Sequence, residues 1–243
     1  MDKLSLLRGK PYEITPYVEV ANPKVGEICG YSEEKYWNTV SRLTGTAYDY
    51  RLFLDEQGID YVNVSDYEMF LMLVPSFTKD ETEIILPGID FQNLEPYVNT
   101  ETEEIALKDQ EGHNIFDRYT YHEMVDYIRT CHGFKRNWLV PGNKMARKYL
   151  MEDERERRKK ESGKPFNSML ESLVSALCNH PGFKYSYHEV WDLPIYTFLD
   201  AVRRIQKIDR ADHLANGLYS GNLDTKKMNK TQLNKDLNWM GEL

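Results

Sequence analysis

The sequence predicts a mainly α protein of the α+β type: a helical bundle with a short N-terminal β-hairpin and a small β-rich insertion. Three observations lead there. Most segments place apolar residues three and four positions apart, with a capping residue in front and glycine or proline behind. One stretch near the start alternates apolar and polar residues among prolines. From 78 to 117 the spacing shortens and turn residues crowd in, as in short strands. The 243 residues therefore divide into hairpin and helices over 1–77, packed with the C-terminal helices, the insertion over 78–117, and a helical region with a tail over 118–243.

The hairpin is expected in KPYEITPYVEVANP, with Ile14, Val18 and Val20 inward and prolines that suit an edge. Ser32 then caps a helix running to Gly45, with Tyr36, Val40 and Leu43 on one side and Trp37 beside them. TAYDYRLFLDEQG begins with Thr46 and Asp49, an acidic capping box, and closes on Gly58. In SDYEMFLMLVP, Ser65 caps, Glu68 reaches back, Phe70, Leu71, Leu73 and Val74 are buried, and Pro75 stops the helix.

Within the insertion, TEIIL, EEIAL and HNIF read as strands separated by polar turns. Helical spacing resumes at Thr120, which forms a box with Glu123, and ends at Gly133. Asn143 caps a long helix whose last turns are almost wholly charged, and ESGKP is the clearest internal break. PFNSMLESLVSALCNHPG is a helix with Met169, Leu170, Leu173, Val174 and Leu177 on a broad apolar face. Ser186 and Glu189 box a short turn through Trp191, and Asp192 caps a further helix with Pro194 in its first turn. There Ile195, Phe198, Leu199, Val202 and Ile205 share one face, opposite Asp200, Arg203, Arg204 and Lys207; a stripe of that width reads as core first and partner groove second.

Composition narrows the function. With 41% hydrophobic and 12% aromatic residues the chain has enough packing material to fold, which excludes a disordered linker. Cys29, Cys131 and Cys178 form no CxxC pair, so reduced thiols are expected and a zinc site is not. No run approaches the roughly 18 apolar residues of a bilayer span, so a soluble, untargeted protein without membrane partners is expected. The net charge of −8 conceals a division: residues 1–110 sum to −12 and residues 111–243 to +4. Ordinary solvated surfaces explain such a split, as would contact between unlike faces of neighbouring copies, or nucleic acid on the basic half.

No catalytic motif emerges. His122 and Glu123 prompt a comparison with the helical zinc-protease pattern, but position 126 is Asp and no third ligand has suitable spacing. Cys178 with His180 is a weak nucleophile pair, since Cys178 ends an apolar helix face. Phosphate cradles, dinucleotide turns and serine elbows are missing. An enzyme is not expected, nor a metal or cofactor. The basic 147–164 segment, with Arg155, Arg157, Arg158, Lys159 and Lys160, offers a nucleic-acid alternative. Glutamates interleave with it, pairing 154 with 158 and 156 with 160, so a solvated helix is the plainer account. The polar C-terminal stretch ends in Leu237, Trp239 and Met240, apolar anchors expected to dock on the body.

The segments SLLRGKPYEI, GYSEEKYW, DLPIYTFLDAVRRI, GLYSGNLDTKKM and LNWM together resemble proteins of the tail-morphogenesis modules of tailed bacteriophages and prophages of Gram-positive bacteria. Those begin with a leucine-rich strand and a G-x-P turn and finish with a Y-S-G, K-K and L-N-W-M tail. Within that group the chain is most similar to a tail assembly chaperone. The resemblance implies a helical, non-catalytic, self-associating protein that contacts tape-measure and tail-tube proteins in the host cytoplasm. A structural component of the virion tail is the alternative. The residues expected to meet a partner are Trp191, Tyr196, Phe198, Tyr219 and Trp239.

Overall fold

The carboxylate of Asp2 accepts hydrogen bonds from the amides of Leu4 (3.0 Å) and Ser5 (3.2 Å). The leucines behind it therefore wind into helix α1 (Lys3–Leu7), where the resemblance implied a strand. Satisfying the first amides of a turn with a side chain removes the need for a neighbouring strand. In this computed structural model residues 2–100, 102–221 and 229–241 are described; positions 222–228 of the GLYSGNLDTKKM motif lie outside them. After a turn at Gly9, β1 (Tyr12–Thr15) and β2 (Val18–Val20) pair antiparallel as the expected hairpin. Val18 and Val20 are buried and Ile14 half-buried.

Helix α2 (Val25–Tyr31) leads into α3 (Glu33–Thr44), capped by Ser32 and burying Tyr36, Val40 and Leu43. Thr46 and Asp49 do form their reciprocal bonds, but these fix only a turn, and α4 (Arg51–Glu56) starts two residues later. Gly58 closes it at φ +73°. In α5 (Asp66–Leu73) the Ser65–Glu68 box is present. Tyr67, Phe70 and Val74 are buried at helical spacing, which leaves Leu71 and Leu73 on the flanks, half-buried rather than in the core. Pro75 sits in a 3-10 turn, Val74–Ser76.

The insertion departs from expectation at its start. TEIIL is not a strand: Thr78 and Glu81 make a capping box that begins α6 (Lys79–Thr82), and Ile85 and Leu86 are buried in the turns after it. The three-stranded sheet is instead built from β3 (Glu95–Val98), β4 (Ile105–Lys108) and β5 (Asn114–Phe116), in the order β3-β4-β5. Strand β3 comes from a stretch that its acids and Pro96 made look like a connection. It lies at a sheet edge, the position where a residue without an amide hydrogen is tolerated.

Helix α7 (Arg118–His132) starts one turn before the expected box, because Asp117 accepts from the Thr120 amide (2.8 Å) and caps it. Glu123, expected to reach back to Thr120, accepts instead from the Tyr12 hydroxyl of the hairpin. Gly133 ends α7 in the left-handed region, φ +69°. Asn143 caps α8 (Lys144–Glu161), and Ser168 caps α9 (Met169–Cys178), which buries Leu170, Val174 and Leu177 while Met169 stays exposed. Pro194 precedes α10 (Ile195–Tyr219), and Asp192 does not cap it: its carboxylate pairs with Lys24 at 3.0 Å. Last comes α11 (Lys230–Leu237), packed along α10.

One large core draws on both halves of the chain, from Leu6 to Leu199. Its centre is aromatic: Phe70 of α5 and Phe91 of the insertion each lie 5.5 Å, centroid to centroid, from Phe116 of β5, and Tyr121 of α7 lies 4.8 Å from Phe70. The insertion thus shares this core through Phe91 and Phe116. Burying each such ring contributes about 2–3 kcal/mol. A smaller cluster, with Leu52, Leu54, Tyr61, Met69 and Met151, joins α4 and α5 to α8.

Two ties organise the main core. The first draws the amino-terminal segment onto the start of α10: Val25 N–H donates to Leu193 O (2.9 Å) and Ile195 N–H to Pro23 O (2.8 Å). Buried Asn22 donates to Leu6 O and accepts from the Tyr196 amide. The second is a buried polar pair. His132 Nδ1 lies 2.6 Å from Ile128 O, so that nitrogen carries the proton, and Nε2 accepts from the Tyr36 hydroxyl at 2.6 Å. Burial lowers the His132 pKa from 6.5 to about 4.

Because the folded value lies below the free one, the folded state binds fewer protons, and His132 contributes fully above pH 6.5. That contribution, about 3 kcal/mol, is lost as pH falls through 6.5 towards 4. Urea unfolding at pH 7.5 and pH 4.5 should show the decline, and His132→Gln should flatten it. Two identical chemical changes should differ in sign. Tyr36→Phe orphans His132 Nε2 and should cost about 1–3 kcal/mol. Tyr121→Phe removes a buried hydroxyl with no hydrogen-bond partner among the described residues, and should be neutral or stabilising by up to about 1 kcal/mol.

Candidate functional site

The five aromatic residues expected to meet a partner separate into two groups. Phe198 is 0% exposed and Tyr196 is 7% exposed, because the first turns of α10 are pulled into the core by the ties to Asn22 and Pro23. Phe198 is a core residue and offers no surface. Tyr196 shows only an edge, in a cleft that Met240 and Gly241 also line.

The other three remain outward. Trp191, 40% exposed, sits on the 3-10 turn Val190–Asp192 with its backbone against Gly26 of α2, where a Cβ would come within 3.0 Å of Trp191 O. Tyr219 is 92% exposed at the far end of α10. A 25-residue helix places the two ends about 36 Å apart, so Trp191 and Tyr219 belong to different surfaces. Trp239 is 45% and Met240 73% exposed. Arg204 Nη1 donates to Trp239 O (2.6 Å) and Gly241 O (2.9 Å), and Arg210 pairs with Asp236 (3.0 Å). The tail is thus docked on α10 by its backbone carbonyls and by Asp236, with Trp239 partly and Met240 largely outside.

Further exposed apolar residues were not singled out by spacing. Met145 and Tyr149 on α8, four apart, face outward, and Leu139 and Val140 in the segment before the helix are exposed as well. Tyr185 and Tyr187 stand exposed in the loop before Trp191. The signal for the first pair was present, since Met145 and Tyr149 lie off the face that carries buried Met151; the loop tyrosines have no periodicity to betray them.

The basic residues proposed for nucleic acid are largely engaged. Arg157 and Arg158 both donate to Glu154, at 2.8 and 2.9 Å, Arg155 pairs with Asp55, and Lys160 with Glu156. Among the described residues, only Lys159 of the five has no carboxylate partner. Glu154 is itself buried and also receives Arg51 of α4 at 2.9 Å. Burial alone would raise the Glu154 pKa, but hydrogen bonds from Arg157 and Arg158 and the charge of Arg51 outweigh it and hold the value at about 2.

The remaining chemical candidates are also committed elsewhere. Glu123 is bound by Tyr12, and no cluster of potential metal ligands occurs among the described residues. His180 Nε2 faces Asp209 at 3.1 Å, while Cys178 packs against the core and burial raises its pKa. Among the described residues no helix is long and apolar enough to cross a membrane.

The comparisons with known proteins bear on the same end of the chain. Residues 158–243 match the family described as YomV second domain. The family is phage-derived, YomV being a Bacillus prophage protein, and the match suggests a phage protein. It covers about a third of the sequence, begins in the last turn of α8 just before the break at ESGKP, and includes all five aromatic candidates. No curated protein and no solved structure matches the chain.

Glu154→Ala should cost about 3–5 kcal/mol, because it leaves Arg51 buried without its counter-charge. Removing both charges, as Arg51→Met with Glu154→Met, should cost much less. Urea midpoints of the three proteins check this, and equal losses in the single and double variants would refute the role given to Arg51. The folded Glu154 value lies below the usual 4.5, so its contribution is complete above pH 4.5 and is lost as pH falls towards 2.

Proposed function

We propose that the protein is a non-enzymatic assembly factor of a bacteriophage tail, similar to a tail assembly chaperone, acting by reversible contact with tape-measure and tail-tube proteins. The observation that carries this reading is the match of residues 158–243 to a phage-derived family. The segment that matches also displays Trp191, Tyr219, Trp239 and Met240 to solvent. Exposed aromatic and methionine side chains at helix ends and in the turns beside them give adaptable contact area, and they suit association that has to be undone. Self-association and a place in the host cytoplasm or the virion belong to the same proposal. The nucleic-acid alternative is weaker, since a phosphate would have to displace Glu154, Asp55 or Glu156 from the arginines and lysine of α8.

The test is co-expression of the tagged protein with the tape-measure and tail-tube proteins encoded beside it. At least one should co-purify, and Trp191→Ala combined with Trp239→Ala should weaken retention about tenfold or more if these are anchoring contacts. Mass spectrometry of purified particles separates a chaperone, absent from them, from a structural component. Normal particle yield in a deletion strain, together with no tail protein retained, would refute the reading.

A further inference from the structure

Nine of the thirteen arginines in the chain form ion pairs with carboxylates. Of the four with no such pair among the described residues, Arg129, Arg203 and Arg204 line a single cleft of about 490 Å³. Acids outnumber bases in this protein, 39 to 31, so a concentration of guanidinium groups with no ion pair among the described residues needs a reason.

The cleft lies where the C-terminal end of α7 meets α10 and the segment after α11. The hydrogen bonds that hold each arginine there among the described residues go to backbone carbonyls, and the Arg203 guanidinium also lies over the Tyr196 ring, 5.9 Å from its centroid. Arg129 Nη2 donates to Thr44 O at 2.7 Å, Arg203 Nε to Leu199 O at 3.1 Å, and Arg204 Nη1 to Trp239 O and Gly241 O. Carbonyl dipoles orient a cation but carry no net charge to cancel it, so the three groups are positioned and still positive. The Arg203 guanidinium passes directly over Gly133, where a Cβ would lie 2.4 Å from Nη1; the left-handed glycine that ends α7 leaves it the room. Lys135, exposed two residues on, adds a fourth cation with no ion pair among the described residues.

The shape is elongated. Two neighbouring hollows share Arg129 and Phe134 with the cleft, so the three run together as a furrow over the end of α7. Exposed Leu7, Phe134 and Met240 stand along it between the cations. Acids interrupt it too: Asp200 in the first hollow, Asp126 and the Tyr12-bound Glu123 in the second, and Asp49 in the third.

We propose that this furrow binds an extended acidic segment of a partner protein, with glutamates or aspartates set against Arg129, Lys135 and Arg203 and apolar side chains between them on Phe134 and Met240. A compact anion would use one hollow and leave the apolar stations empty. A nucleic-acid strand repeats its charge at every nucleotide and would meet Asp200 and Asp126 as well as the cations, whereas a peptide carries carboxylates only where they are wanted. The inference does not depend on the tail-assembly reading, because it names the chemistry of the bound segment and not the protein that carries it.

Fluorescence anisotropy with the full-length protein tests it. The probes are a labelled peptide alternating glutamate with leucine, the same peptide with glutamine for glutamate, and a single-stranded oligonucleotide. The glutamate peptide should bind with a micromolar Kd, and the glutamine peptide at least about tenfold more weakly. Arg203→Gln and Lys135→Gln should each weaken binding about five- to tenfold, while Lys159→Gln on α8 leaves it unchanged. Lys135 is exposed and unpaired among the described residues, so its variant keeps the fold and remains decisive if Arg203→Gln does not. Failure of both peptides to bind, equal binding of the two, tighter binding of the oligonucleotide, or insensitivity to Lys135→Gln would each overturn the proposal.

Discussion

The buried carboxamide of Asn22 is the knot on which the arrangement of the chain depends. By donating to the Leu6 carbonyl and accepting from the Tyr196 amide it joins α1, the segment behind the hairpin, and the first turn of α10. The flanking exchange between Pro23 and Ile195, and between Val25 and Leu193, extends the join along the backbone. A buried amide side chain is stable only with its partners in place, so position and pairing are fixed together. This explains why the segment that matches a separately described domain has no core of its own here. Leu170, Val174, Leu177 and Phe198 pack into the same cluster as Val20, Tyr36 and Phe70.

Much of this was legible in the sequence. Ser32, Ser65 and Asn143 cap the helices they were expected to cap, and Gly58 and Gly133 end theirs, because capping is a local exchange between a side chain and amides two or three residues away. Where local signals competed, the outcome depended on partners far along the chain. Glu123 satisfies the box pattern with Thr120, yet the Tyr12 hydroxyl claims it, and Asp117 starts the helix earlier. Asp192 stands at a capping position but pairs with Lys24. TEIIL has strand composition, and the Thr78–Glu81 box decides for helix before the isoleucines are reached.

The candidate surface was less legible, and the reason is geometric. Spacing shows which residues share a helix face and cannot show what covers that face. Phe198 belongs to the same apolar stretch as Trp191, yet one is sealed and the other half outside. Charge was similarly ambiguous until partners were known. The arginine-rich end of α8 looked like the basic feature of the chain, whereas its charges are spent on Glu154 and Asp55. Three of the four arginines with no ion pair among the described residues come from α7 and α10, where no long basic run marks them.

The outer strand of the insertion bears on how this molecule can meet others. Pro96 deprives β3 of one amide hydrogen, and Glu95 beside it adds a charge that a neighbouring backbone would have to desolvate. An incoming strand would find an interrupted ladder there. At this edge open-ended growth by main-chain pairing is disfavoured, and contact there falls to side chains.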